Sequence, residues 1–429
     1  MKAVTTKASV PTVWTSMIVA SVVTSTHAFN TPASSTIVLR PFTALNAAPK
    51  RLDSNVDGPL YVNDRCINCS ACSMFAPLIF ERSDKESAHV VYHQPQTEEE
   101  IETARAALSA CPVAAIRVET QAQRNHRKQS PMSQEDQALG KELAMSPKLN
   151  GREMPFPRPV STHYNETVYF MGHHNEKSFG ATPYLFRLSS GQWIMVDTPR
   201  FGKPAVEALE SVTAGRPPDY LILTHVDDTA GHYDWKNHYP NLQRIFHTGD
   251  LGRHNWIGDT SLESVEVLLQ ETTNIQDGTA AFSALQVFDL NGSPIDHNKI
   301  GEEEVVILHT PGHSPGSISI LFQPKGAGNN DQNSSKGVLF SGDTYSYRLS
   351  SDAMTGFPRY GNNQRLQANI LKSLVHDWGS EWDLLAPGHG HVRDYSDMAA
   401  TKEERLEIQK TELIPAVEEL QRYATLKRW

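Results

Sequence analysis

Leu221-Ile-Leu-Thr-His225-Val-Asp227-Asp228-Thr-Ala-Gly-His232 runs from an apolar triplet directly into a set of imidazoles and carboxylates. A short apolar run bounded by turn formers predicts a buried strand. The polar groups then fall on the loop at the strand end, where α/β sheets gather ligand-binding residues. The arrangement recurs downstream: Val305-Val-Ile-Leu leads to His309-Thr-Pro-Gly-His313, Val338-Leu-Phe to Ser341-Gly-Asp343, and Leu384-Leu-Ala to Pro387-Gly-His389-Gly-His391. Upstream, Trp193-Ile-Met-Val ends in Asp197-Thr198. Loops of this kind can converge on one site, and mixed imidazole and carboxylate donors suit divalent metals.

The order and spacing of these loops resemble the metallo-β-lactamase superfamily, over about residues 165–395. The resemblance implies a four-layer αβ/βα sandwich with a one- or two-metal site. The first motif departs from the family's H-x-H-x-D-H. In register, His225 is kept, Asp227 replaces the second His, Thr229 replaces the Asp, and Ala230 replaces the last His. If the segment opens a helix, Asp228 and His232 share a face at i and i+4 and restore the lost ligands from displaced positions. A capping or turn role at a helix start is the alternative for Asp227, Asp228 and His232. The metal candidates are His225, Asp227, Asp228, His232, His313, Asp343 and His389, enough for two cations with Asp343 bridging. The phrase from His225 to Trp235, H-x-D-D-x-x-x-H-x-x-W, is similar to that of a plant and cyanobacterial subgroup whose members carry ferredoxin-like extensions. Asp197 is expected to be a hydrogen-bonded carboxylate beneath the site. His309 and His391 are expected behind the ligands or at the surface, and His173-His174 in a loop beside the site. His247 is expected on a strand end near the pocket.

The four cysteines all fall between residues 66 and 111, as Cys66-Ile-Asn-Cys69-Ser-Ala-Cys72 and then Cys111-Pro112. Thiolates at such short spacing suit a loop around an iron–sulfur cluster, closed by a remote fourth ligand. The run is similar to bacterial-type ferredoxins, C-x2-C-x2-C-x3-C-P, but Ala76 stands where the fourth Cys would be. The resemblance implies one [4Fe–4S] cluster on Cys66, Cys69, Cys72 and Cys111, no second cluster, and an α+β ferredoxin-like domain preceding the sandwich. A tetrahedral zinc is the alternative, although such sites usually pair two short C-x2-C runs.

Residues 1–52 hold Lys2, Lys7, Arg40, Lys50 and Arg51 and no acid, whereas the whole chain carries a formal charge of −10. The remainder is therefore acidic, which argues against sequence-independent nucleic-acid binding. The apolar stretch Val13–Val23, too short to span a bilayer, followed by Ala28-Phe29 and a basic Ser/Thr/Ala-rich segment, is similar to the bipartite leader of complex plastids. Stromal localisation follows from that likeness, with a secretory or mitochondrial leader as the alternative. No later stretch approaches a membrane span. The expected division is leader 1–52, ferredoxin domain 58–120, linker 121–160 with a short helix near Ser133–Ala144, metallo-β-lactamase domain 161–398 and C-terminal helix 399–429. The polar tract 325–336 is expected to form a surface loop.

Two divalent metals on such ligands polarise a carbonyl or phosphoryl oxygen and activate water. The resemblance therefore implies a metal-dependent hydrolase of an ester or thioester-type small molecule, with zinc expected over iron and Asp228 as a proton shuttle. The ferredoxin domain supplies a second class, a di-iron oxidoreductase fed by the cluster or by an electron-transfer partner. Flavodiiron proteins likewise place a carboxylate at the Asp227 position, but they keep the Asp that is Thr229 here. A third class is a non-catalytic binding module with a degenerate metal site. Substrate identity is not legible, because the loops lining this fold vary freely.

Overall fold

Period-2 alternation builds the larger domain. In Trp193–Val196, Ile194 and Val196 enter one core while Trp193 and Met195 enter another. Val305–His309 divides likewise, with Val305 and Ile307 inward and Val306 and Leu308 outward. Every residue of these two strands is buried, as expected where both faces of a sheet are covered. The computed structural model describes residues 48–126, 130–144, 155–270, 285–296, 301–325 and 337–426. Pro49–Trp429 forms one compact unit, and of the segment that precedes it only Ala48 is described. The leader upstream of Ala48 and the polar tract at 326–336 lie outside the described residues.

Among the described residues, one sheet has seven strands in the order Val267–Leu269, Gln243–His247, Tyr220–Ile222, Trp193–Val196, Tyr184–Arg187, Val168–Phe170 and Arg158–Pro159. The other has six: Val287–Phe288, Val305–His309, Ile318–Phe322, Val338–Gly342, Leu384–Pro387 and Arg393–Asp394. Their inner faces meet in one apolar cluster, where the Phe186 ring lies 4.6 Å from Phe322 and 5.1 Å from Phe340. Helix Lys203–Thr213 and Trp235 cover the outer face of the first sheet. Helices Gln364–His376 and Lys402–Leu426 cover that of the second. The result is the four-layer αβ/βα sandwich that the resemblance implied. Its strand Tyr220–Ile222 is parallel to both neighbours, and Val338–Gly342 is parallel to Leu384–Pro387. The loops carrying His225, Asp343 and His389 therefore leave from the carboxyl ends of parallel strands, whereas Val305–His309, which leads to His313, is antiparallel to both of its neighbours.

Ahead of it, Leu60–Val62 pairs antiparallel with Ile116–Val118, and Phe80–Ser83 with Ala88–Val91. Helix Glu98–Ala110 starts with a capping box, Thr97 and Glu100 each bonding the other's backbone N–H, which satisfies donors that a helix start otherwise leaves open. Its small side chains serve two cores: Ala104 and Ala107 face the cysteine domain, while Ala106 and Ala110 face the sandwich. Phe75 follows them across, 4.9 Å from Phe156 and 5.2 Å from Phe170. Residues 121–160 include helices Gln121–His126 and Gln134–Ala144, and the second docks Leu143 into the ferredoxin core. No helix among the described residues is long and apolar enough to cross a membrane.

Candidate metal centre

His225 ends the segment that follows Tyr220–Ile222 and is 1% exposed. Thr224 Oγ1 lies 3.1 Å from its Nδ1, and its Nε2 has no hydrogen-bond partner. That nitrogen faces Asp227 Oδ2 at 3.7 Å and Asp343 Oδ2 at 3.9 Å. His313 Nε2 faces the same two oxygens, each at 3.7 Å, with its ring edge-on to His225 at 4.9 Å. Asp343 turns its other oxygen to His389 Nδ1 at 2.8 Å. Donor atoms of His225, His313 and Asp343 all lie within 4.8 Å of one another, and so do those of Asp228, Asp343 and His389. Asp343 belongs to both sets, and Asp227 sits on the first.

The electrostatics call for a cation. Asp228 is fully buried, and neither carboxylate oxygen has a hydrogen-bond partner. Burial, with Asp343, Asp197 and Asp227 nearby, pushes its carboxyl well above the usual range. Burial also pushes Asp343 up, but His389, His313 and His225 outweigh it and hold that carboxyl well below the usual range. Burial lowers His225 to about 4 against the pull of Asp343, so the ring stays neutral with a lone pair to give. Three carboxylates, one of them the orphan Asp228, and three imidazoles fit divalent cations. Without one, the Asp228 charge would cost on the order of several kcal/mol.

The surroundings fix these loops. Asp197 accepts from Thr224 N at 2.8 Å and Thr224 Oγ1 at 3.0 Å, while burial raises it to about 7. It lies beneath the site as a hydrogen-bonded carboxylate. Asp250 and Trp256 escaped the sequence reading. Asp250 accepts from Val226 N, Ser314 Oγ and Gly316 N, and Trp256 Nε1 donates to Asp227 Oδ1 at 2.6 Å. A signal for Asp250 was present, because Ile245-Phe-His247-Thr-Gly-Asp250 is another apolar run ending in an acid. His309 and His247 stack at 3.9 Å. His174 Nδ1 donates to Gly180 O at 2.8 Å, and His391 faces Ser73 at 3.4 Å.

The structure does not bring His232 into the site. The expected shared helical face fails because Val226–Asp228 forms only one 3-10 turn and the helix starts at His232. Gly231 between them has φ +93°, a left-handed residue that redirects the chain. Arg244 Nη1 donates to His232 Nδ1 at 2.9 Å. A guanidinium cannot accept, so Nε2 carries the proton and gives it to Asp259 Oδ2 at 3.2 Å. Ser261 Oγ is 3.0 Å from the same nitrogen.

In the first domain, Cys66, Cys69, Cys72 and Cys111 line one cavity with Val62, Ala71, His89 and Ile116. Left-handed Asn68 and Ser70 bend the loop between the first three. Burial pushes the Cys69 thiol up to about 12, Cys72 well above its usual value, and Cys66 upward. Asn68 N and Ala115 N point at Cys66 and Cys111 Sγ, at 3.4 and 3.1 Å. Four convergent thiols, Cys72 buried and the other three partly so, with backbone donors on two of them, fit an iron–sulfur cluster, whose irons would replace the protons. Ala76 lies inside the apolar core.

A cysteine-cradled module joined to a mixed-donor sandwich is thus the class that fold and sites define. Residues 62–118 match the family described as the 4Fe-4S single cluster domain of Ferredoxin I, and residues 179–327 match the metallo-beta-lactamase superfamily. The chain joins a single-cluster ferredoxin domain to a domain of the metallo-β-lactamase superfamily. Similar solved structures include VMB-1 at 15% identity (TM-score 0.36; 59% of this chain and 95% of that chain). The mono-zinc form of the metallo-β-lactamase FIM-1 from Pseudomonas aeruginosa is also 15% identical (TM-score 0.35; 61% and 97%). An archaeal metallo-β-lactamase superfamily protein from Sulfolobus tokodaii is 16% identical (TM-score 0.30; 53% and 79%). No curated protein matches the chain.

Proposed function

We propose that the sandwich domain is a two-cation hydrolase of an ester or thioester-type small molecule, with zinc as the cation. The position of Asp343 in both donor sets carries this reading. His225, Asp227 and His313 would hold one cation and Asp228 and His389 the other, with Asp343 between them. The cations would polarise the scissile carbonyl and activate water. The chain's own part is to orient these groups: Trp256 occupies one oxygen of Asp227 and leaves the other for the site. Complete burial favours ligation for Asp228 over the proton-shuttle role. Phe179 and Trp256 are about half exposed beside His389 and Asp227, an apolar rim suited to an acyl chain. The test is metal and sulfide analysis of the anaerobically purified chain together with turnover of ester and thioester substrates. Two zincs beyond the cluster irons, with turnover abolished by Asp343→Asn, are expected; turnover that survives D343N sinks the reading.

A second reading, a di-iron oxidoreductase fed by the cluster, is favoured by one contact: the cluster ligand Cys69 packs on Gly180, in the loop next to His389. Carboxylate-rich ligation also suits iron. Two non-cluster irons whose reduction follows that of the cluster in an electron paramagnetic resonance titration would select this reading. An external one-electron carrier is then the proposed partner. The leader supports the plastid stroma as the setting, testable with a fluorescent fusion of residues 1–52.

A further inference from the structure

The cysteine module touches the sandwich at the loops that serve the second donor set. A Cβ on Gly180 would stand 2.6 Å from Cys69 Cβ, 2.8 Å from its Sγ and 3.3 Å from Pro112. Gly180 also has φ +85°, so both space and backbone conformation require glycine there. Its loop then grips both flanks of the second set. Thr182 N donates to Gly388 O at 2.7 Å, one residue before His389. Asn175 Nδ2 donates to Ala230 O at 2.9 Å, and Ala230 N donates to Ser178 Oγ at 3.2 Å, two residues after Asp228.

A second contact starts at Ser73, next to Cys72. Its hydroxyl proton goes to Ser70 O at 3.0 Å. Ser73 Oγ must therefore accept from His89 Nε2 at 3.2 Å and His391 Nε2 at 3.4 Å. His391 lies two residues beyond His389. The first donor set has its anchors within the sandwich: Asp250 on Val226, Ser314 and Gly316, and Asp197 on Thr224.

We propose that Ser73 and Gly180 are positioning residues through which the iron–sulfur cluster sets the cation affinity of Asp228, Asp343 and His389. The cluster fixes Cys69 and Cys72, these fix Gly180 and Ser73, and the two loops hold His389 and Asp228 at ligating distance from Asp343. The device acts on the second cation and leaves the first in place. It rests on the two-cation reading of the site.

The experiment is a competition titration of zinc against a chromophoric chelator on the full chain. It compares the cluster-loaded chain, the chain freed of its cluster by oxidative removal, with any zinc taken up by the four cysteines counted separately from its zinc–thiolate absorbance, and the Ser73→Ala and Gly180→Ala variants. Oxidative removal is expected to raise the second dissociation constant about tenfold or more, as loss of groups supporting a ligand does, and to leave the first unchanged. S73A keeps the cluster absorbance and raises the second constant about threefold, a partial loss of the same kind. G180A moves it in the same direction, and S73A, which crowds nothing, carries the test if G180A does not fold. Equal second constants with and without cluster overturn the inference and leave the two-cation reading standing. Parallel weakening of both constants overturns it too, because that is general loosening. Fewer than two cations on the cluster-loaded chain overturns the two-cation reading itself.

Discussion

Asp250 and Ser314 share a hydrogen bond of 2.6 Å that joins two loops of the candidate metal centre. The accepting oxygen also takes Val226 N at 3.0 Å, and the other takes Gly316 N at 2.6 Å. One buried carboxylate therefore sets the spacing between the His225–Asp228 loop and the loop carrying His313. Burial raises it to about 6 against those three donors.

Asp250→Ala removes all three acceptor contacts and leaves buried donors open. The expected loss is about 3 kcal/mol of stability and about tenfold to hundredfold in cation affinity. Chemical denaturation and chelator competition measure the two. Unchanged cation affinity in a folded D250A chain would remove Asp250 from the site's support.

Asp228→Asn separates stability from function. In cation-free protein the amide replaces a buried carboxylate whose oxygens have no partner, so stability should rise by about 1–3 kcal/mol. The same variant should bind one cation fewer, whereas Asp343→Asn should lose tight binding of both. Calorimetry and zinc stoichiometry decide; a destabilised cation-free D228N would mean that Asp228 has a protein partner.

His232 belongs to a different network. It joins Arg244, which is 2% exposed and pairs with Glu266 through both Nε and Nη2. His232→Ala is expected to keep the full cation count and to cost about 2 kcal/mol in stability by leaving Arg244 short of an acceptor. Loss of a cation in H232A would return it to the ligand set. Burial pushes Glu266 up, but the Arg244 hydrogen bond outweighs it and brings the carboxyl from 4.5 down to about 2. A carboxyl lowered on folding stabilises above its unfolded pKa. That contribution is lost as pH falls from about 4.5 to about 2, and Glu266→Gln should flatten this limb of the stability profile.

The sandwich was legible because its strands announce themselves. Val305–Leu308 and Leu384–Ala386 are apolar on both faces, and the groups of the site follow at their ends. His225, His313, Asp343 and His389 were legible for the same reason. His232 misled because helical spacing from Asp228 presumes an unbroken helix, and Gly231, a single left-handed residue, ends that presumption. Trp256 carried no signal: its bond to Asp227 spans a loop and depends on where the chain after Gln243–His247 returns. The contact of Cys69 with Gly180 was equally invisible, since it arises from the docking of two domains rather than from either motif.

Trp256→Phe is the cleanest probe of the first donor set. The change keeps an aromatic ring at a half-exposed position but deletes the donor that holds Asp227 Oδ1 at 2.6 Å. Stability should stay within about 0.5 kcal/mol, as for surface substitutions generally. Asp227 then loses the group that fixes its orientation, and the first cation should weaken about tenfold while the second holds. Because Trp256 also lines the rim, an acyl substrate should show a raised KM even at saturating zinc, whereas a purely orienting role predicts full recovery of KM once zinc saturates. Zinc titration and steady-state kinetics on the same preparation separate these outcomes, and an unchanged first constant would show that Asp227 is oriented by His225 and His313 alone.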